Sequence, residues 1–213
     1  MKTEQERLDY LNQELGTDYT SLNDVYWTDI SANNQLSEDF IREFKDKVNW
    51  EYISELQTLS ENFIREFQDK VDWRCISVYQ TLSEEIIREF ADKLDWSSIS
   101  WRQKLSEKLM SDYREYLYWR TICVYQSLSE DFIDEFQDYV EWDCILNNQK
   151  LSEQFLIDHI EFFDFEDYTM YCFMSEDTIR QLKDYVNWNY VIKYSNISEN
   201  FKKEFSEYIK DLE

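Results

Sequence analysis

An apolar stripe recurs along this chain, and residues 59–81 show it most clearly. Its members there are Phe63, Ile64, Phe67 and Val71. Their spacing of i, i+1, i+4 and i+8 is that of one face of an α-helix. On the polar side, Glu61 and Arg65 have the i,i+4 spacing of a stabilising ion pair. The pattern predicts a first helix of about eleven residues that packs against other helices.

Start signals accompany this helix. Ser60 occupies the N-cap position, where its hydroxyl accepts from an unpaired backbone N–H, and Glu61 suits the positive end of the helix dipole. Asp72 is placed to cap a second helix of about eight residues, with Trp73 and Ile76 on one face. The sequence therefore predicts two helices in each unit.

The same unit is repeated through most of the chain at steps of 23 residues, without an insertion. Its start, Leu-Ser-Glu or a close variant, occurs at Leu36, Leu59, Leu82, Leu105, Leu128, Leu151, Met174 and Ile197. A short repeat cannot bury its apolar face alone, so copies stack on their neighbours. We predict an all-α fold, an α-solenoid of stacked helix-turn-helix repeats.

The predicted array has three parts. Residues 1–35 hold an N-terminal cap with a degenerate repeat, including a helix over residues 3–15 that stops at Gly16. Residues 36–196 hold seven helical-hairpin repeats, and residues 197–213 hold a half repeat that we expect to form a C-terminal capping helix. The chain has no proline and one glycine, so we expect no flexible linker and one continuous array.

Two further residue types recur at fixed repeat positions. The tryptophans are Trp27, Trp50, Trp73, Trp96, Trp119, Trp142 and Trp188, and the glutamines are Gln57, Gln80, Gln103, Gln126 and Gln149. We predict that each Trp fills the gap between units while its indole N–H meets a carbonyl. The glutamines are expected to satisfy backbone groups of the turns. The alternative for the tryptophans is a platform on which bases or sugars stack, and the alternative for the glutamines is a row of side chains that recognises a ligand.

The charge balance limits the class of partner. The chain has 46 acidic against 22 basic residues, a net charge of −24. This excess argues against direct binding to nucleic acid or to an anionic membrane, and it favours a protein partner with a basic surface. No segment approaches the roughly 20 apolar residues of a membrane span, and no secretory signal opens the chain. We therefore expect a cytoplasmic protein, or one in the host cytoplasm if it is viral.

The chain contains no motif for catalysis or for a metal. The four cysteines, which form no CxxC pair and indicate reduced thiols, are Cys75, Cys123, Cys144 and Cys172. His159 replaces a phenylalanine of the apolar stripe, which predicts a partly buried, hydrogen-bonded histidine. Phosphate-binding and calcium-binding loop patterns are absent. We expect no enzymatic activity, no cofactor and no metal.

Departures from the repeat mark a candidate binding surface in residues 128–173, where half of the net negative charge lies. Basic repeat positions are lost there: Asp134 replaces the arginine found at Arg65, and Tyr139 replaces the lysine found at Lys70. The predicted partner-binding residues are Asp131, Asp134, Glu135, Asp138, Tyr139, Glu141, Asp143, Asp158, Glu161, Phe162, Asp164, Glu166 and Asp167. Carboxylates steer basic partners and aromatic side chains anchor them. The alternative is a solvated face that keeps the protein soluble.

The consensus of the unit, L-S-E-x-F-I-x-E-F-x-D-K-V-D-W-x-x-I-S-x-Y-Q, resembles tandem repeats in uncharacterised proteins of giant DNA viruses and large phages. The resemblance covers residues 36–209, and the unit that starts at Leu151 departs most, with His159, Phe165 and Cys172. It implies a helical-repeat fold and a viral or phage origin, with inhibition of a host defence protein as the expected role. No activity and no functional residue come with it.

The sequence thus predicts a non-enzymatic acidic α-solenoid that binds a basic surface of another protein. Two alternatives stay open. A nucleic-acid mimic that inhibits a DNA- or RNA-binding protein would lose binding steeply with salt, and duplex nucleic acid would compete with it. A small-molecule sequestering protein would need a concave pocket with convergent polar groups. The oligomeric state is not predicted.

Overall fold

The computed structural model describes residues 2–162 and 174–210. All regular secondary structure in these residues is helical. The chain forms two compact units, Met1–Leu105 and Ser106–Glu213. Pairs of short helices follow one another along both units and pack on the equivalent helices of adjacent repeats. The predicted all-α class, an α-solenoid of stacked helix-turn-helix repeats, is confirmed.

The first unit begins with the predicted cap helix. Its helices are α1 Glu4–Leu15, α2 Trp27–Asn33, α3 Glu38–Glu43, α4 Trp50–Leu56, α5 Glu61–Glu66, α6 Trp73–Tyr79, α7 Glu84–Glu89 and α8 Trp96–Arg102. Thr3 and Glu6 form a capping box at the start of α1. Gly16 ends it with a φ of 64°, the left-handed conformation that glycine adopts without strain. The predicted first helix and its stop are confirmed.

The second unit repeats the pattern of short helices. Its helices are α9 Glu107–Asp112, α10 Trp119–Tyr125, α11 Glu130–Glu135, α12 Trp142–Asn148, α13 Glu153–Asp158, α14 Glu176–Gln181, α15 Trp188–Tyr194, α16 Glu199–Glu204 and α17 Ser206–Ile209. A short 3₁₀ helix, Ile160–Phe162, follows α13. Helices α16 and α17 lie in the segment that the sequence predicts as a C-terminal cap.

The helix caps agree with the sequence prediction. Ser60 Oγ accepts from the backbone N–H of Phe63 at 3.2 Å, and Asp72 accepts from Cys75 at 2.9 Å to cap α6. The other serines that cap a first helix in this way are Ser37, Ser83, Ser106, Ser129, Ser152, Ser175 and Ser198. Each start signal in the sequence therefore begins a helix.

The first helix of the repeat is shorter than predicted. α5 has six residues and ends at Glu66, and its C-cap Phe67, with a φ of −114° and a ψ of 28°, interrupts the helix. The N–H groups of Lys70 and Val71 both donate to the Phe67 carbonyl, at 2.8 and 3.0 Å, so a tight turn replaces the second half of the predicted helix. Val71 is buried nonetheless, and the whole apolar stripe lies in the core.

Burial of this stripe holds successive repeats together. Phe63 and Ile64 of α5 and Ile76 of α6 are almost completely buried. In the first unit α2 packs against α4, α4 against α6 and α6 against α8, and in the second α10 packs against α12. Full burial of such a side chain stabilises the fold by about 1.5–3 kcal/mol. A repeat without its neighbour would lose that contribution.

A buried glutamine at the end of the second helix joins consecutive repeats. Gln80 Oε1 accepts the N–H of Leu59 at 3.1 Å, while Nε2 donates to the carbonyls of Ser54 and Gln57 at 2.9 and 2.7 Å. Equivalent bonds are made by Gln57, Gln103 and Gln149. For these four residues the prediction that glutamines satisfy backbone groups is confirmed.

The tryptophans lie between repeats, as predicted. Trp50 Nε1 donates to the Lys45 carbonyl at 2.9 Å, and its ring packs 5.0 Å from the ring of Phe67 in the next repeat. The same donation from the indole is made by Trp27, Trp73, Trp96, Trp119 and Trp188. The structural explanation of these tryptophans is therefore confirmed.

The Ser-Glu start has a second role that the sequence analysis did not predict. Glu61 Oε1 accepts the backbone N–H of Ser83, the N-cap of the next repeat, at 2.9 Å. Within the second unit Glu107 accepts from Ser129 at 2.6 Å in the same way. The serine thus caps its own helix, while the glutamate beside it fixes the start of the following repeat.

Candidate functional site

A column of arginines bridges successive repeats in the first unit. Arg42 Nε donates to Glu66 of the next repeat at 2.7 Å, and Nη2 lies 3.2 Å from Glu38 of its own repeat. The guanidinium also lies over the ring of Phe63, 5.0 Å from its centroid. The hydrogen bond to Glu66 is the main cause that raises the pKa of Arg42. We call this repeat position the arginine column.

The column continues at 23-residue steps. Arg65 pairs with Glu89 at 2.7 Å, and Arg180 in the second unit pairs with Glu204 at 2.9 Å. Arg180 also lies over the ring of Phe201, again 5.0 Å from the centroid. The usual occupant of this position is therefore a guanidinium held by a carboxylate of the following repeat.

The arginine is missing at three consecutive positions of the column, all in the second unit: Ser111, Asp134 and Ile157. The carboxylate that would receive it is still present as Glu135, which occupies the position of Glu66 and Glu89. In the part of the chain that the structure describes, no Lys or Arg nitrogen lies within 4.0 Å of the Glu135 carboxylate. The replacement thus leaves a negative charge without its usual cation.

A column of lysines is lost in the same region. Lys70 Nζ lies 3.3 Å from Asp46 of the preceding repeat. In the second unit Tyr139 occupies this position, where its hydroxyl donates to Glu115 at 2.6 Å and its ring packs 5.2 Å from that of Trp119. A phenol retains the hydrogen bond to the carboxylate, but it adds no positive charge.

Phe162 is the next member of this column. It is 37% exposed and stacks on Trp142, with 4.5 Å between ring centroids and 7° between ring planes. Other exposed aromatic residues at the equivalent position are Tyr116, Tyr185 and Tyr208. The second unit therefore presents aromatic rings where the first unit presents ammonium groups.

Some predicted partner-binding residues already have partners within the chain. Glu141 accepts from Arg120 at 2.6 Å, and Asp158 accepts from Gln154 at 2.8 Å. Asp134 Oδ1 lies 2.7 Å from His159 Nε2. Three of the predicted carboxylates therefore already have a partner within the chain.

The other predicted carboxylates within the described residues are exposed and form no ion pair with that part of the chain. They are Asp131, Glu135, Asp138, Asp143 and Glu161. Asp164, Glu166 and Asp167 lie outside the described residues. We call the eight described carboxylates, together with Tyr139 and Phe162, the acidic surface.

His159 has the structural role that the sequence predicted. Its Nδ1 lies 3.0 Å from the Phe155 carbonyl, and its side chain is 13% exposed. The ring packs 5.4 Å from that of Trp142 and 4.1 Å from that of Phe155. The prediction of a partly buried, hydrogen-bonded histidine is confirmed.

Three cysteines are free thiols, namely Cys75, Cys123 and Cys144, and Cys172 lies outside the described residues. Burial raises the pKa of Cys75 and of Cys123 to about 11. It also raises the pKa of Cys144. Thiols with such pKa values are almost entirely protonated near neutral pH, so they are poor nucleophiles.

An open cavity of about 340 Å³, which was not predicted from the sequence, lies beside the acidic surface. The residues that line it are Glu107, Lys108, Ser111, Ser129, Asp131, Phe132 and Glu135. It lies where the first arginine of the column is missing. A comparison of the equivalent repeat positions Ser111, Arg42 and Arg65 in the sequence would have shown the missing arginine. The net charge of each repeat, which was used to choose residues 128–173, does not show it.

In comparisons with known protein families, curated proteins and solved structures, none matches this chain. The resemblance to viral and phage repeat proteins therefore stays a prediction. None of the helices in residues 2–162 and 174–210 has the length and apolar character needed to cross a membrane. Over the same residues, no group of three or more His, Cys, Asp or Glu side chains is arranged to hold a metal ion.

Proposed function

We propose that this protein is an interaction module whose second unit binds a basic surface of another protein. The observation that supports the proposal is the loss of both cation columns in one region. In the first unit Arg42, Arg65 and Lys70 neutralise carboxylates of adjacent repeats. In the second unit Ser111 and Asp134 replace the arginine, and Tyr139 and Phe162 replace the lysine. The carboxylates that would accept the two missing arginines remain as Glu135 and Asp158.

Charge repulsion on this surface favours a cationic partner. Asp131 and Glu135 stand at i and i+4 on α11, where like charges destabilise a helix by about 0.2–0.5 kcal/mol. A lysine or arginine of a partner would relieve that repulsion and pair with both carboxylates. Complementary potentials also accelerate the encounter, an effect that weakens as salt concentration rises.

Aromatic residues provide the anchoring part of the proposed interface. Tyr139 and Phe162 lie beside the carboxylates, and each packs against a tryptophan of the preceding repeat. Ordered aromatic side chains lose little conformational entropy on binding and often dominate interface energetics. The surface thus combines carboxylates that attract a basic partner with aromatic side chains that anchor it.

The test is affinity retrieval from an extract of the source organism, followed by measurement of the affinity for the purified partner. A triple variant, Glu135→Gln, Asp138→Asn and Asp158→Asn, removes three charges from the acidic surface. The matched control removes three exposed carboxylates of the first unit through Glu51→Gln, Asp69→Asn and Asp92→Asn. We expect the first variant to bind at least tenfold more weakly than the control.

Equal affinity of the two variants would refute the proposal. Competition by duplex DNA for the same partner would identify the surface as a nucleic-acid mimic, the alternative that the charge balance also allows. If the chain has a viral or phage origin, a host defence protein is the first partner to test.

A further inference from the structure

The cavity beside Ser111 has a definite chemical character. Carboxylates of Glu107, Asp131 and Glu135 border it, and the buried ring of Phe132 forms part of its lining. Glu107 uses Oε1 to accept from Ser129, which leaves Oε2 available. A cluster of carboxylates alone would not identify a ligand, but the repeats supply an independent observation.

The aromatic ring and the carboxylates around the cavity stand at repeat positions that contact an arginine elsewhere in the chain. Ser111 stands at the position of Arg42, and Phe132 stands at the position of Phe63, over which the Arg42 guanidinium lies at 5.0 Å. Glu135 stands at the position of Glu66, which accepts from Arg42 at 2.7 Å. The receptor for a guanidinium is therefore complete at the cavity, while its own arginine is absent.

The remaining carboxylates follow the same correspondence. Glu107 stands at the position of Glu38, whose Oε2 lies 3.2 Å from Arg42 Nη2 while Oε1 accepts from Ser60. Asp131 stands at the position of Glu85, which lies 3.4 Å from Arg65. Glu107 and Asp131 thus offer the additional acceptors that a guanidinium meets in the occupied repeats.

One residue departs from the pattern. Lys108 stands where Asp39 contacts Arg42, and it brings a positive charge to the rim of the cavity. Its ammonium lies 3.7 Å from Asp112, and the lysine side chain is 81% exposed. Lys108 therefore extends towards solvent and is paired outside the guanidinium position.

We propose that this cavity, the arginine cavity, binds an arginine side chain of the protein partner. The inference rests on the proposed function, since it names the residue through which a basic partner would be recognised. Arginine suits the cavity better than lysine, because its planar fork can meet two carboxylates and stack on the ring of Phe132 at once.

The experiment uses the full chain and two short peptides, acetyl-Gly-Arg-Gly-amide and acetyl-Gly-Lys-Gly-amide. Each peptide is titrated into ¹⁵N-labelled protein while the backbone amide shifts are followed. We expect the arginine peptide to shift the amides of Asp131 and Phe132, with an affinity at least fivefold above that of the lysine peptide. The amides of Asn62 and Phe63, at the equivalent but occupied position, should shift little.

The decisive variant is Ser111→Arg, which supplies the missing arginine from within the chain. It should weaken binding of the arginine peptide at least tenfold, whereas Ser111→Ala leaves the cavity open and should bind as the unchanged protein does. The reverse change, Arg42→Ser, should create binding at Phe63. This gain of binding tests the cavity even if Ser111→Arg disturbs the fold.

Equal affinities for the two peptides, or unchanged peptide binding by Ser111→Arg, would overturn the proposal that this cavity binds an arginine side chain. In that case the proposed function still stands if the double variant Asp138→Asn and Asp158→Asn, which leaves the cavity unchanged, weakens retrieval of the partner. The opposite result is that Ser111→Arg abolishes binding of the arginine peptide while substitution of Asp138 and Asp158 leaves retrieval of the partner unchanged. That result would support arginine binding in the cavity and refute a role for the wider acidic surface. The two failures are therefore distinguishable.

Discussion

Glu153 of one repeat accepts the backbone N–H of Ser175, at the start of the next complete repeat, at 2.9 Å. The hydroxyl groups of Ser175 and Thr178 donate to the same carboxylate. These hydrogen bonds, chiefly the one from the Ser175 hydroxyl, hold the pKa of Glu153 below its ordinary value. A polar joint between two repeats therefore depends on an ionised carboxylate.

The first prediction concerns this joint in acid. Because the folded pKa of Glu153 is below its unfolded value of about 4.5, its stabilising effect is present above pH 4.5 and is lost as pH falls through the folded pKa. Glu153→Gln should lower the urea midpoint at pH 7, and the difference from the unchanged protein should shrink at pH 3. Glu207→Gln, at an exposed residue of α17, is the control. A difference that is the same at both pH values would contradict the prediction.

The second prediction concerns Gln80, whose side chain bonds Leu59, Ser54 and Gln57 in the core. Gln80→Met keeps the approximate volume but leaves one buried N–H and two carbonyls without partners, each at a cost of about 1–3 kcal/mol. We expect a loss of about 3 kcal/mol in urea unfolding, together with faster hydrogen exchange of the Leu59 amide. Gln137→Met, on the surface, should change stability by less than about 0.5 kcal/mol. Slow exchange at Leu59 in the Gln80 variant would show that another group satisfies this amide.

The sequence predicts those features of the fold that depend on residues close together in the chain. The caps at Ser60 and Asp72 and the burial of Phe63 were predictable, because each depends on residues within one helical turn. The early end of the first helix at Phe67 was not, since nothing in the periodicity marks it. The stripe continues through the turn to Val71 and imitates a longer helix.

The ion pairs show a second limit. The sequence predicts that Arg65 pairs with Glu61 on its own helix, and these groups are 3.9 Å apart. The shorter contact joins Arg65 to Glu89 of the next repeat at 2.7 Å. Contacts between repeats require the stacking register, which one repeat does not encode. A comparison of the repeats finds the serine at position 111, but only the stacking register identifies Glu135 as the carboxylate that lacks its arginine.

The third prediction concerns the thiols. Burial, followed by the negative charge of Asp72, raises the pKa of Cys75 to about 11, so its thiolate fraction at pH 8 is on the order of 10⁻³. Iodoacetamide should modify Cys75 at least a hundredfold more slowly in the folded protein than in urea, and the folded rate should rise about tenfold per pH unit up to about pH 11. Mass spectrometry of the Cys75 peptide measures both rates.

The same shift has a consequence for stability. Because the folded pKa of Cys75 is above its unfolded value of about 8.5, the protonated thiol contributes to the stability of the fold. This contribution is fully present below the unfolded pKa and is lost as pH rises through about 11.

Asp72→Asn preserves an N-cap side chain but removes the charge, so it should accelerate the modification of Cys75. A rate that does not depend on pH would mean that access of the reagent, not ionisation, controls the reaction.

The last prediction separates stability from binding on the acidic surface. Glu135 ends α11 four residues after Asp131, so Glu135→Lys converts a repulsive i,i+4 pair into an attractive one and places a cation at the helix C-terminus. We expect the variant to gain about 0.5–1 kcal/mol in urea unfolding and to lose affinity for the partner and for the arginine peptide. Glu66→Lys, at the same position in the first unit, should instead lose stability, because it removes the acceptor of Arg42. If both variants change stability in the same direction, Glu135 is not the unneutralised member of its column, and the missing arginine no longer supports a binding surface at this position.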